Sequence, residues 1–301
     1  MKYVLITPAR NEEKFIRKTL DSMVAQRLLP KRWVIVDDCS ADCTADIVQS
    51  YARRYSWVEL IRRPQRLDRS FAAKVHAFNA GLERVQRLEF DVIGNLDADL
   101  SFDPDYFEFL MRKFSEDHKL GVVGTPFLED GYDSTRDSFE GENHVAGGCQ
   151  LFRRQCFEDV GGYIPNPAGG IDWIAVTTAR MKGWRTRSFR EKRFYHYRTL
   201  GTAAKGSVAA SFSYGEKDYY LGGSPLWQLF RVAYRTTKQP VDGVALLAGY
   251  CWAALRRMER PVSHELMRFH RREQMKKLRA ILRTLLSFKK VDNFRLTTER
   301  G

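Results

Sequence analysis

Two aspartates separated by one alanine, Asp97-Ala-Asp99, follow an apolar run and aim two carboxylates into one opening. Paired hard oxygen ligands of this kind suit Mn²⁺ or Mg²⁺, above all where phosphates and water complete the shell. Two aspartates of an ordinary turn are the alternative, because the triplet alone is a weak signal. Asp37-Asp38 ends a second apolar run, and Pro8 to Glu12 ends a third. Three polar strand ends of this type could share one phosphate- and metal-binding rim if a sheet brings them to the same edge.

The elements that must position them are readable from hydrophobic period. Short β-branched runs alternate with longer helical patterns over residues 3 to 100, which predicts strand-helix units and a largely parallel sheet. Strands are expected at Tyr3 to Thr7, Trp33 to Val36, Val58 to Ile61 and Phe90 to Leu96. Helices are expected around Phe15 to Val24, Ile47 to Tyr51 and Lys74 to Leu88. In open α/β sheets ligands bind outside the carboxyl ends of the strands, so Pro8 to Glu12, Asp37-Asp38 and Asp97 to Asp99 should converge there. Further on, a helix over Tyr106 to Phe114 leads to a strand over Gly121 to Val123. Residues 127 to 145 are polar and read as a mobile loop, followed by a helix from Trp173 to Met181 and a short strand near Thr186. From Pro225 onward the pattern changes to long helices, with no internal repeat.

The 301 residues are 44% apolar and 13% aromatic, enough for a sizeable core, which excludes a disordered chain. The formal charge of +13 attracts phosphate-bearing partners. Between Arg256 and Gly301, 14 Lys and Arg stand against 5 Asp and Glu, so most of the excess lies in the tail. The five cysteines are odd in number and form no CxxC pair, so a reducing compartment is expected. The start lacks a secretory leader, which points to the cytoplasm. Val244 to Leu255 is shorter than the roughly 20 residues of a membrane span, and reads as a buried or interfacial helix.

Thr7-Pro-Ala-Arg-Asn-Glu-Glu13, Val34-Ile-Val-Asp-Asp-Cys-Ser-Ala-Asp-Cys-Thr44, Lys74-x4-Asn79-x-Gly81-Leu82 and Asp97-Ala-Asp99 occur in one order at characteristic spacings. Together they resemble the family 2 glycosyltransferases over roughly residues 1 to 200. The resemblance implies an α/β GT-A fold, Rossmann-like with a mostly parallel sheet flanked by helices, here with a C-terminal helical extension. It divides the chain into a GT-A domain, 1–222, and a basic extension, 223–301. It also implies inverting, metal-dependent transfer of a sugar from a nucleotide-diphosphate sugar to a carbohydrate or lipid-linked acceptor, in cell-surface polysaccharide or glycolipid assembly.

By the same resemblance Pro8, Arg10, Asn11, Glu12 and Asp38 hold the nucleoside, although the family more often has an aromatic residue where Arg10 stands. Lys74 approaches the diphosphate, with Arg69 nearby, or is simply a solvated lysine. Asp97 faces the ribose or the metal, and Asp99 coordinates Mn²⁺ or Mg²⁺. Asp172 matches the general base, or caps its helix; the acidic residue usual before it is Ile171 here. Trp173 stacks on a sugar or packs in the core, and Gly148 lies in a small-residue loop on the acceptor side or in a plain turn. His196 is a metal or phosphate contact, or a packed side chain. Arg198 and Lys205 are phosphate contacts or surface residues.

The tail's apolar stripes flanked by cations fit an anionic membrane surface at the inner face of the cell membrane, or else pack on the catalytic domain or form a homodimer. A dinucleotide-dependent oxidoreductase is excluded by the absence of GxGxxG after the first strand. Nucleic acid is not expected as a partner. A nucleic-acid-binding protein is nevertheless the alternative of a different class, predicting salt-dependent binding that survives metal removal. A catalytically silent carbohydrate-binding relative is the third reading.

Overall fold

The first strand, β1 (Tyr3–Ala9), carries Tyr3, Val4, Leu5 and Ile6 in one fully buried run. A run without polar alternation belongs to a strand covered on both faces, and both faces are covered here. Leu5 joins one core cluster, with Trp33, Ile35, Tyr106 and Phe107. Val4 and Ile6 point the other way, into a cluster with Val34, Val36, Phe78 and Phe152. The structure is a computed structural model and describes residues 1–64, 71–130, 132–135, 141–166, 169–198 and 202–287, without the side chains of 71 and 202–205. Arg69 and the side chain of Lys205 lie outside the described residues.

The chain then alternates α1 (Ile16–Val24), β2 (Arg32–Asp37), α2 (Thr44–Ala52), β3 (Val58–Arg62), α3 (Phe71–Val85) and β4 (Val92–Leu96). After β4 come β5 (Leu100–Phe102), α4 (Tyr106–Glu116), β6 (Leu120–Gly124), β7 (Phe127–Glu129), β8 (Tyr132–Asp133) and β9 (Cys149–Arg153). They are followed by α5 (Arg154–Val160), α6 (Ile171–Met181), β10 (Arg185–Ser188) and β11 (Phe194–His196). The main sheet has seven strands in the order β10-β6-β9-β4-β1-β2-β3. All its pairings are parallel except those of β9 with β4 and β6. This is the mostly parallel α/β sheet flanked by helices that the hydrophobic pattern predicts.

Register decides what meets at the rim. Ala9 pairs with Asp37, and the Asp38 amide donates to the Ala9 carbonyl at 2.8 Å, so the ends of β1 and β2 are level. Ile6 pairs with Asn95, which brings the end of β4 to the same edge. Gly81 lets α3 close on the sheet, since a Cβ there would fall 2.6 Å from Ile6 Cγ2. That motif glycine is therefore required by packing.

A second sheet, β5-β11-β7-β8, lies beyond β4. It corrects the expectation of a mobile loop over 127–145 at both ends of that segment, because β7 pairs in parallel with β11 and antiparallel with β8, and Val145 is fully buried; residues 131 and 136–140 lie outside the described residues. Polar composition is a poor guide where a two- or three-residue strand is held by backbone hydrogen bonds to a distant partner.

Residues 1–135 and 142–198 form one compact unit, and the helices between 202 and 287 belong to another. These helices are α7 (Thr202–Tyr220), α8 (Pro225–Lys238), α9 (Pro240–Leu255) and α10 (His264–Leu286). The expected division at 222/223 falls between α7 and α8. Helices α7 and α9 touch backbone to backbone: a Cβ on Gly215 would meet the Leu246 carbonyl at 2.1 Å, and one on Gly249 the Phe212 carbonyl at 2.0 Å. The Ser263 hydroxyl caps α10 by accepting from the Leu266 amide at 3.1 Å. Among the described residues no helix is long and apolar enough to cross a membrane.

Candidate active site

At the end of β4 the chain turns through Asp97, whose amide donates to the Gly148 carbonyl at 2.8 Å. Lys74, on α3, donates from Nζ to Asp97 Oδ1 at 2.6 Å. Asn95 Nδ2 reaches the same oxygen at 3.3 Å and the Gly147 carbonyl at 2.7 Å. Burial works against the Lys74 ammonium, but the charge and hydrogen bond of Asp97, with Asp172 and Asp99 behind it, outweigh that cost and raise its pKa. Burial also raises the pKa of Asp97, with Lys74 opposing. Asn95 is a buried polar residue inside an apolar strand; sequence reasoning passed over it, although such an interruption is itself a signal.

Asp99 faces two cations. His196 Nε2 lies 3.4 Å from Asp99 Oδ2, and Arg198 Nε lies 3.7 Å from it. The other imidazole nitrogen, Nδ1, is 2.8 Å from Glu129 Oε1. Burial disfavours the imidazolium, yet the hydrogen bonds and charges of Asp99 and Glu129 prevail and raise the His196 pKa to about 9. Arg198 also donates to Glu12. Burial raises the Glu12 pKa to about 7, with Arg198 opposing and Asp99 and Asp97 adding to the rise. Glu129 was missed by sequence reasoning, since it lies in the segment read as a loop.

The nucleoside-side residues form their own cluster. Asn11 has a positive φ of 56°, tolerable for asparagine, and its side-chain oxygen accepts from the Ala41 amide at 2.8 Å. The Asn11 amide donates to Ser40 Oγ at 2.9 Å, and the Glu12 amide to Thr44 Oγ1 at 2.7 Å. Pro8 is half-buried at the end of β1, and the Nε of Arg10 is buried with no hydrogen-bond partner among the described residues. Asp38 pairs with Arg63 at 2.7 Å, both side chains only 10% exposed. Arg63 directly follows β3, the strand next to β2; register in the sheet, invisible in sequence, makes it the partner.

Asp172 stands in the first turn of α6, and Gly170 occupies the N-cap with a left-handed φ of 78°. Asp172 makes no hydrogen bond or ion pair with the described residues. Its side chain lies against Gly147, where a Cβ would fall 2.8 Å from Asp172 Cβ and 2.9 Å from Oδ2. Its charge acts on Lys74 and on Tyr163. Asp97, Asp172 and Lys74 thus meet around the Gly147-Gly148 turn. Gly148 packs against Phe194, 3.3 Å from where its Cβ would be, and Trp173 is 6% exposed, among core residues of α6. Ile171 is likewise buried in the core.

As arranged, no three His, Cys, Asp or Glu side chains among the described residues lie close enough to ligate one ion. The donor types at Asp97, Asp99 and His196 nevertheless suit an ion that takes one or two carboxylates and completes its shell with phosphate and water.

A model described as glycosyl transferase family 2 matches residues 4–161, more than half of the chain. A poly-beta-1,6-N-acetyl-D-glucosamine synthase of Staphylococcus aureus (strain COL) is 28% identical over 117 residues, 38% of this chain and 26% of the relative. The probable glycosyltransferase YdaM of Bacillus subtilis (strain 168) is 32% identical over 126 residues, 40% of this chain and 28% of the relative. The matched stretch therefore spans about a quarter of the length of these relatives.

Among solved structures, Staphylococcus aureus TarS 1–349 in complex with UDP-GlcNAc has a TM-score of 0.57 at 18% identity, over 98% of this chain and 90% of that one. The mannosyltransferase PcManGT from Pyrobaculum calidifontis, in complex with GDP-Man and Mn²⁺, has a TM-score of 0.56 at 19% identity, over 97% of this chain and 77% of that one. These likenesses establish the GT-A architecture. With the family match covering the strands and helices that build the rim, the chain belongs to glycosyl transferase family 2.

Proposed function

We propose that this protein transfers a sugar from a nucleotide-diphosphate sugar to an acceptor hydroxyl on a carbohydrate, with inversion at the anomeric carbon. The observation that carries the reading is the convergence of Lys74, Asp97 and Asp172 around one glycine turn at the carboxyl edge of the sheet. Family membership supports the reaction class, and the polysaccharide synthase among the relatives supports a glycan acceptor. Nucleotide sugars in two solved neighbours support the donor class.

In this reading the segment Pro8 to Glu12 and Asp38 hold the nucleoside. The Lys74 ammonium approaches the diphosphate, kept charged by the carboxylates around it. Asp172 takes the proton from the acceptor hydroxyl as that oxygen attacks the anomeric carbon. With no hydrogen bond to the described residues, both carboxylate oxygens are left to the acceptor. Mn²⁺ or Mg²⁺ would be held by Asp99, with Asp97 and His196 Nε2 beside it, and would offset charge on the departing nucleoside diphosphate. Glu129 orients His196 through Nδ1, as an outer carboxylate does for a ligating imidazole.

The test is product formation from a panel of UDP-, GDP- and dTDP-sugars with Mn²⁺, comparing wild type with Asp172→Asn and Asp99→Asn. Transfer by wild type, lost in both variants while nucleotide binding survives in Asp172→Asn, is the expected result. Full transfer by correctly folded Asp172→Asn would overturn the assignment.

A further inference from the structure

Helix α9 leaves a face of large apolar residues open that a helix facing water would fill with charge. Its one charged residue, Asp242, is buried beside Arg235 of α8 at 3.5 Å. Its small residues point inward: Gly243 lies against Thr236 of α8, and Gly249 against the Phe212 backbone of α7. Leu246 is buried, but four large apolar residues point outward, with Val241 65%, Val244 64%, Trp252 45% and Leu255 81% exposed. These recur at three- and four-residue spacing, with Ala248 and Cys251 also exposed between them, so they form one uncharged stripe along the whole helix. Helix α8, packed beside it, leaves Leu226, Leu229 and Ala233 exposed at the same spacing. Apolar stripes of this kind mark a contact surface.

Charge identifies what covers it. Exposed Arg256 and Arg257 follow Leu255, and the Arg256 guanidinium lies 4.5 Å from the Trp252 ring centroid. Exposed Lys238 stands at the other end of α9. Residues 202–287 contain 15 Lys and Arg against 6 Asp and Glu. A second copy of the same face would bring basic ends against basic ends, with exposed Glu259 outnumbered by Arg256, Arg257 and Arg260 around it, whereas an anionic lipid surface complements both the stripe and its rim. The 16 residues of α9 span about 24 Å, short of the roughly 30 Å hydrocarbon layer, so the helix must lie along the surface.

We propose that the exposed face of α8 and α9 docks on an anionic lipid bilayer, with Val241, Val244, Trp252 and Leu255 entering the headgroup boundary and Arg256 and Arg257 against lipid phosphates. Cys251, on that face, and Cys43, in the other compact unit, are both exposed thiols, which supplies an internal control.

The full chain is floated with vesicles of phosphatidylcholine alone or with phosphatidylglycerol added, and iodoacetamide labelling is followed at both cysteines. The protein should float only with the phosphatidylglycerol vesicles, and they should slow Cys251 labelling about tenfold or more while leaving Cys43 unchanged. Arg256→Gln with Arg257→Gln should weaken binding about thirtyfold, near fivefold per cation. Val244→Asp should abolish flotation with an unchanged urea midpoint, since the site is exposed. Failure to float, equal flotation with pure phosphatidylcholine, or flotation unaffected by Val244→Asp would each overturn the proposal. So would protection of Cys251 by raised protein concentration without vesicles, which would identify a second copy as the occupant.

Discussion

Lys74 Nζ lies 2.6 Å from Asp97 Oδ1, joining the middle of the β3–β4 crossover connection to the end of β4, the strand to which that connection leads. The ammonium is thereby fixed in place by the fold, with Asp172 and Asp99 adding to the field that keeps it charged. In the proposed reaction this cation meets the diphosphate, so its removal has two separable costs.

Lys74→Met should lower stability modestly, because the pair is 31% and 26% exposed and solvent screens it. About 1 kcal/mol is expected, read from a urea midpoint. Affinity for a nucleoside diphosphate should fall about tenfold or more, with Lys74→Arg recovering part of it, as measured by calorimetry.

Asp172→Asn should lower the melting temperature only slightly, since the carboxylate makes no hydrogen bond with the described residues and gives up only its charge effect on Lys74, while kcat falls by a factor on the order of 10² to 10⁴. Gly147→Ala tests the same site by position. Its methyl would press on Asp172 Cβ and Oδ2, at 2.8 and 2.9 Å, so kcat should drop with KM for the donor little changed. Steady-state kinetics on folded variants distinguishes these outcomes.

Stability without metal or donor should fall as pH rises from 6 to 9. Glu12 moves from 4.5 to about 7 and His196 from 6.5 to about 9, so the folded chain holds protons that the unfolded chain has released. Each contribution is complete below the lower value and lost through the higher one, giving windows of 4.5 to 7 and 6.5 to 9. Thermal melts in chelated buffer read this directly, and His196→Gln should flatten the upper part. Rising melting temperature across that interval would contradict the assignment.

The cysteines should divide by burial. Cys149 and Cys156 are buried, and burial pushes each thiol up to about 12. Cys43 and Cys251 are exposed. At pH 8, mass spectrometry after iodoacetamide should find Cys43 and Cys251 modified, and Cys149 and Cys156 intact until denaturant is added.

What the sequence made legible follows from how physics writes each element. The runs behind β1, β2 and β4 are continuous because both faces are buried, and they stand out accordingly. The carboxylates at their ends inherit that clarity, so the positions of Asp38, Asp97 and Asp99 could be read before the fold was known. Glu129 could not: it belongs to a three-residue strand whose partner, β11, lies more than sixty residues away, and its bond to His196 Nδ1 depends on that pairing. Arg63 was hidden for a related reason, because only the lateral order β2-β3 brings it to Asp38. The small second sheet as a whole carries too little side-chain pattern to be seen in one chain.

The reversed direction of β9 has an evolutionary corollary. Because that strand runs against β4 and β6, residues entering it, and not those leaving it, stand at the edge where Asp97 lies. Insertions ahead of Gly147 can therefore reshape that edge while the ladder from Cys149 to Arg153 keeps its pairing. A lineage can vary what it admits there without rebuilding the scaffold beneath.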